Sequence, residues 1–230
     1  MESYTVLLSR EITVPVTKIA APLAEIVGVA PAEVTRGLRQ SPWVLLRDVP
    51  AIKLDEVFAA LAAANVPAKA VPEAWLPRLP TPLAVRTADP MPKGLFLQAA
   101  DPPAPPFLPW ADIELVSMGF VDLGGEEHYL VDLVTTGENE DEVGIRLRVD
   151  GIDFKHDWLG LRMQPSTREN LKLFICEIRV RSAETRFTGK TSSFLAGDVT
   201  ASFRFNSPAA FDDYTQWALE ALAEAEDAAE

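Results

Sequence analysis

The sequence predicts an α+β protein in two parts, and three observations carry that prediction. Over the first 78 residues, short β-branched runs alternate with segments of helical period. Of the 19 prolines, 11 fall between Pro72 and Pro109. Beyond residue 110, short apolar runs follow one another with turn residues between them. These observations give, in order, a βααβαβ module over residues 1–78, a proline-rich linker over 79–109, and an acidic antiparallel β domain over 110–230. The last is a sheet or barrel-like domain with two helices, near 167–181 and 209–224.

In the first part, Tyr4 to Ser9 is a β-branched and apolar strand. From Val16 the apolar positions Ile19, Leu23, Ile26 and Val27 recur at helical spacing, and Gly28 stands where a left-handed C-terminal cap would end the helix. Pro22 removes a donor inside that run and predicts a kink, or a helix confined to the residues after Ala21. A second helix is expected from Ala30 to Arg39, with Pro31 in its first turn and Val34 and Leu38 inward. Trp43 to Val49 is the next strand. Leu54, Val57, Phe58 and Leu61 mark a helix over 53–65, and residues 66–71 return as a third strand.

This order resembles the C-terminal domain of the bacterial ribosomal stalk protein, a fold shared with the Clp protease adaptor. The residues that carry the resemblance are YTVLL, Lys18-Ile19-Ala20, Ala32-Glu33-Val34, Ser41-Pro42 and LDEVFAALAAANVPAKAV. The stalk family implies elongation-factor binding through a basic face on the first two helices. Here that face carries Pro22, Glu25 and Glu33 beside Lys18, Arg36 and Arg39. The adaptor family implies an acid-lined pocket for a peptide amino terminus, whose residues have no one-to-one match in this chain.

Proline at the density of residues 72–109 excludes a continuous helix or a central strand and predicts a semi-rigid spacer. Residues 94–99, GLFLQA, are expected as an edge strand or laid along a domain surface. The next strands are Ile113 to Val121, Tyr129 to Val134, Val143 to Val149 and Ile152 to Phe154, with turns at Gly124-Gly125, at the acidic run Glu138 to Glu142 and at Asp150-Gly151, a type I′ hairpin signal. Ser166 caps the helix over 167–181 with Glu169 completing a capping box. Residues 186–193 predict a mobile loop, and VTASFRF, residues 199–205, a further strand. A last helix runs from Ala209 to about Glu224. Antiparallel strands opened by FLPWADIELVSMG and closed by a C-terminal helix resemble a pleckstrin-homology-like domain, from which the helix over 167–181 departs.

Charge narrows the class of function. The chain carries a net charge of −13, yet residues 1–110 hold 10 Lys and Arg against 10 Asp and Glu, so the excess acid lies beyond them. Such a balance excludes non-specific nucleic-acid binding and attraction to anionic membranes, both of which need cations. There is no apolar run of about 18 to 20 residues, and MESYTVLLSREITV lacks the basic and apolar regions of a signal peptide. With Cys176 as the single cysteine, these features predict a cytoplasmic location.

Chemical motifs are weak. Gly189-Lys190-Thr191 matches the end of a phosphate loop, but Glu184 stands where its first glycine is needed. The acidic run Glu138 to Glu142 lacks the spacing of a calcium loop. His128, His156 and Cys176 are too scattered for zinc, so neither cofactor nor metal is expected. His156 with Asp157 suggests half of an acid-base pair, with Ser166 or Cys176 as nucleophile, and is the basis of an alternative reading as a small hydrolase or transferase. The leading feature is basic: seven cations against three acids between Arg162 and Lys190. Arg168, Lys172 and Arg179 share one face of the predicted helix, opposite much of the apolar stripe. They point to a non-catalytic adaptor or regulatory module that binds a protein through an acidic or phosphorylated peptide, with a structural subunit of a larger assembly as a further alternative.

Overall fold

The computed structural model describes residues 2–76, 78–99, 105–137, 143–198 and 203–227. It has the α+β composition expected, in two compact units: Met1–Pro77 together with Asp212–Glu230, and Arg78–Phe211.

The first unit begins with the predicted order: β1 (Ser3–Leu8), α1 (Val16–Val27), α2 (Pro31–Gln40), β2 (Val44–Pro50), α3 (Leu54–Ala63) and β3 (Ala68–Pro72). β1 is the middle strand, antiparallel to both β2 and β3. Gly28 closes α1 in the left-handed conformation, φ 79°, with its N–H on the Ala24 carbonyl. α1 is not confined to the residues after Ala21 but runs from Val16 through Pro22. Pro22 and Lys18 both lie on the exposed side, so water can take the Lys18 carbonyl that the missing N–H leaves free.

Val6, Leu7 and Leu8 are all buried, so β1 must be covered on both faces. The face bearing Thr5 and Leu7 lines a small cavity with Asp213, Gln216 and Trp217 of the C-terminal helix, α6 (Pro208–Asp227). The Trp217 indole N–H donates to the Leu8 carbonyl at 2.6 Å. Trp43, Tyr214 and Trp217 cluster with centroids 4.8 to 5.6 Å apart, Tyr214 stacked on Trp217 and Trp43 tilted against both. From Asp212 onward α6 therefore completes the first unit, where the sequence predicted a helix of the acidic β domain. Its aromatic face finds its partners on β1 and at Trp43.

The second unit contains β4 (Leu83–Met91), β5 (Gly94–Ala99), β6 (Phe107–Pro109), β7 (Ile113–Leu123), β8 (Glu126–Thr136), β9 (Val143–Asp150), α4 (Thr167–Arg181), β10 (Arg186–Phe187), α5 (Gly189–Ala196) and β11 (Arg204–Phe205). They build an eight-stranded sheet in the order β10-β7-β8-β9-β4-β5-β6, with β11 also on β7. The expected linker is thus corrected: residues 83–99 and 107–109 are strands. Pro92 sits in the two-residue turn between β4 and β5, and Pro90 and Pro109 fall at strand ends, where a missing donor costs little. β5 is not an edge, because the three residues of β6 lie outside it.

The expected antiparallel meander is present as β7-β8-β9, and the sheet is made mixed by strands outside it, since β4 runs parallel to β9 and both β10 and β11 run parallel to β7. Ile152 to Phe154 is a turn in place of a strand: the Asp153 and Phe154 N–H groups return to the Asp150 carbonyl. Gly151 is there for closeness, since a Cβ would stand 2.7 Å from the Leu171 side chain. Of residues 199–205, only Arg204 and Phe205 are in a described strand; Val199 to Ser202 lie outside the described residues, as do Glu138 to Glu142.

One face of the sheet presents Val116, Met118, Phe120, Val131, Leu133, Leu147 and Val149 to Leu171, Phe174, Ile175 and Ile178 of α4. The other face holds a buried ionic group. Asp132, 0% exposed, accepts from the Arg146 Nε at 2.9 Å and the Arg148 Nε at 2.7 Å. Two guanidiniums on one carboxylate satisfy its lone pairs and offset the cost of desolvating it.

Candidate functional site

The site begins with α4. Its start is fixed by Ser166, whose hydroxyl accepts from the Glu169 N–H at 3.5 Å, and by Asn170, whose side chain exchanges hydrogen bonds with both backbone groups of Gln164. Four apolar side chains, Leu171, Phe174, Ile175 and Ile178, bind the helix to the sheet. At about 100° per residue, Arg168, Lys172 and Arg179 lie within roughly 40° of one another. The structure places them beside the buried stripe, not opposite it. Arg168 and Lys172 are half-buried and Arg179 is exposed.

The cations of the basic segment have different fates. Arg181 pairs with Glu177 at 2.6 Å, and Arg186 pairs with Glu114. Arg162 lies over the Trp158 ring at 5.2 Å and Arg168 over Phe194 at 6.0 Å, distances at which ring faces attract cations. Lys190 is only 3% exposed, with its ammonium 5.7 Å from the rings of Phe203 and Phe205. Among the described residues, Lys172 and Arg179 have no ion-pair partner. The helix places these two on one face, Arg179 exposed and Lys172 half-buried.

The line most opposed to the core is one that the sequence reading missed. Leu173, Cys176 and Val180 follow one another at three and four residues, with Glu169 ahead of them, so they form the outermost row of α4. Val180 is 84% exposed, and Leu173 and Cys176 are half-buried. Cys176 therefore shares with Leu173 and Val180 the side of α4 turned away from the sheet. The signal was available in the angles, since the apolar residues of this helix occupy two stripes.

His156 is brought to the interior. It is 7% exposed, its ring meets Phe154 edge-on at 4.8 Å, and neither ring nitrogen has a hydrogen-bond partner. Burial lowers the imidazole from 6.5 to about 4, partly opposed by the neighbouring Asp157 carboxylate. Neither Ser166 nor Cys176 hydrogen-bonds to it, so the acid-base and nucleophile grouping is not assembled. His128 instead bonds Asp150 through Nδ1 at 2.6 Å.

Residues 186–193 form β10 and the start of α5, correcting the expected mobile loop. Thr188 caps α5 by accepting from the Thr191 N–H at 3.2 Å, and the Thr191 hydroxyl donates to the Val116 carbonyl. Lys190 and Thr191 thus face the interior, away from any phosphate in solvent. Among the described residues, no group of three or more His, Cys, Asp or Glu is placed to hold a metal ion, and no helix is long and apolar enough to cross a membrane.

In the first unit, an open groove of about 450 Å³ is lined by Arg10, Phe58, Ala62, Asn65, Val66, Pro67 and Ala68. Its lining brings a single charge and no pair of groups for catalysis. Comparison with protein-family models, with curated proteins and with solved structures gave no match.

Proposed function

We propose that the protein is a non-catalytic adaptor or regulatory binding module of the cytoplasm, and that α4 receives an acidic or phosphorylated peptide of a protein partner. The observation that carries this reading is the pair Lys172 and Arg179. They stand without an ion-pair partner among the described residues, in a chain of net charge −13. An ammonium and a guanidinium separated by about 10 Å along a helix match two anionic groups of one peptide. The acid elsewhere repels generic polyanions, so this local patch favours a short ligand over nucleic acid. Burial of both His156 nitrogens supports the non-catalytic reading, because a general base needs to reach a substrate proton.

The test is fluorescence anisotropy with a labelled peptide of alternating glutamate and phosphoserine, at low and at moderate salt. Wild-type protein is expected to bind with an affinity that falls as salt rises. The double variant Lys172→Glu, Arg179→Glu is expected to lose at least tenfold in affinity while its melting temperature stays within a few degrees. Equal binding by both proteins overturns the proposal.

A further inference from the structure

Resting on that reading of α4, we infer that its ligand is an acidic amphipathic helix, not an extended acidic strand. The inference comes from the second row on the same helix. Leu173, Cys176 and Val180 form an outward apolar line parallel to the cationic line of Lys172 and Arg179, with the two lines roughly 40° to 120° apart around the axis. An extended peptide alternates its side chains every second residue and would meet such a surface at one or two points. A helix repeats its own face at three and four residues and meets both lines along their whole length.

The surface also has the relief for close packing. Cys176 is the smallest of the three apolar residues and lies between Leu173 and Val180, so a leucine of the incoming helix can seat over it. The charge pattern fixes which helices fit. Lys172 and Arg179 border one side of the apolar line, whereas on the other side Glu177 is already paired with Arg181. The ligand therefore needs carboxylates along one edge of its apolar face and neutral residues along the other. An all-apolar helix leaves the two cations under a dry contact, and an acidic peptide without apolar spacing leaves Val180 in water.

Two synthetic peptides of one composition, rich in Glu, Leu and Ala, test this. In the first, leucines recur at three and four with glutamates on one flank; in the second, the order is scrambled. Binding is read by isothermal titration and by circular dichroism of the mixture against the separate components. The ordered peptide is expected to bind at least tenfold more tightly than the scramble and to gain helical signal. Val180→Asp is expected to erase that preference, and Val180 is exposed enough for the fold to tolerate it.

Equal binding of the two peptides, with no effect of Val180→Asp but loss on charge reversal at Lys172 and Arg179, overturns the helical ligand and leaves the acidic-peptide reading standing. Failure of both peptides to bind overturns both. A concentration-dependent dimer in sedimentation, abolished by Val180→Asp, also overturns the inference, because the row would then be covered by a second copy.

Discussion

Burying a histidine with neither ring nitrogen bonded costs free energy, since each unpaired polar group forfeits about 1 to 3 kcal/mol of hydration. His156 accepts that cost in the neutral form only. The unfolded chain takes up a proton near pH 6.5, but the folded protein holds it off to about pH 4. The unfolded state therefore binds more protons in that window, and stability falls as pH falls through it. The contribution is intact above pH 6.5 and amounts to a loss of about 3 kcal/mol near pH 4. His156→Phe is expected to be as stable as wild type or more so at pH 7.5, and to lose less on going to pH 4.5. Urea midpoints of both proteins at the two pH values check this, and parallel losses would show that His156 is not the titrating group. At this scale the sequence was a poor guide. Histidine, aspartate, serine and cysteine lie within a short stretch, but Phe154 turns the ring inward and α4 turns Cys176 outward, and neither rotation is written in residue type.

Among the elements, legibility followed the strength of the local signal. α4 was readable to its ends because Ser166, Glu169 and a long apolar period agree. α5 was not, because it has eight residues and its start is held by tertiary bonds. The Thr188 hydroxyl caps the helix from a buried position, and its N–H reaches the Val116 carbonyl on β7 at 3.2 Å. The two caps should differ in consequence. Thr188→Ala is expected to cost about 1 to 2 kcal/mol, while Ser166→Ala, with an exposed and longer bond, costs about 0.5 kcal/mol. Chemical denaturation of the two variants compares them, and equal losses would mean that the burial of Thr188 adds nothing. The strands β4 and β6 were hidden for another reason. Proline density argues against a central strand, whereas Pro90, Pro92 and Pro109 occupy strand ends and a turn, which leaves room for β4 and β6 around β5. The cations of α4 were legible as a set, but not their angle to the core, which depends on which apolar stripe the sheet selects.

At the scale of the molecule, the boundary near residue 78 was visible in composition, but the membership of α6 was not. A helix with Tyr214 and Trp217 on one face will pack on any complementary apolar surface, and only the fold identifies β1 and Trp43 as that surface. Residues 1–77 by themselves leave Thr5 and Leu7 uncovered and the Leu8 carbonyl without its indole donor. The fragment 1–77 is expected to give poorly dispersed amide resonances, and the same fragment joined by a glycine-serine linker to residues 208–227 to recover dispersion. A well-folded 1–77 fragment with the melting temperature of the whole chain would contradict this. The unit that opens the chain is thus interrupted by residues 78–211 and closed by residues from 212 onward. On the ribosome, at about 5 to 20 residues per second, β1 emerges roughly 10 to 42 seconds before the aromatic face that covers it. The residues of β1 reach their native environment only after residues 212 onward are made, and in that interval β1 is open to chaperones or to the same strand of a neighbouring nascent chain.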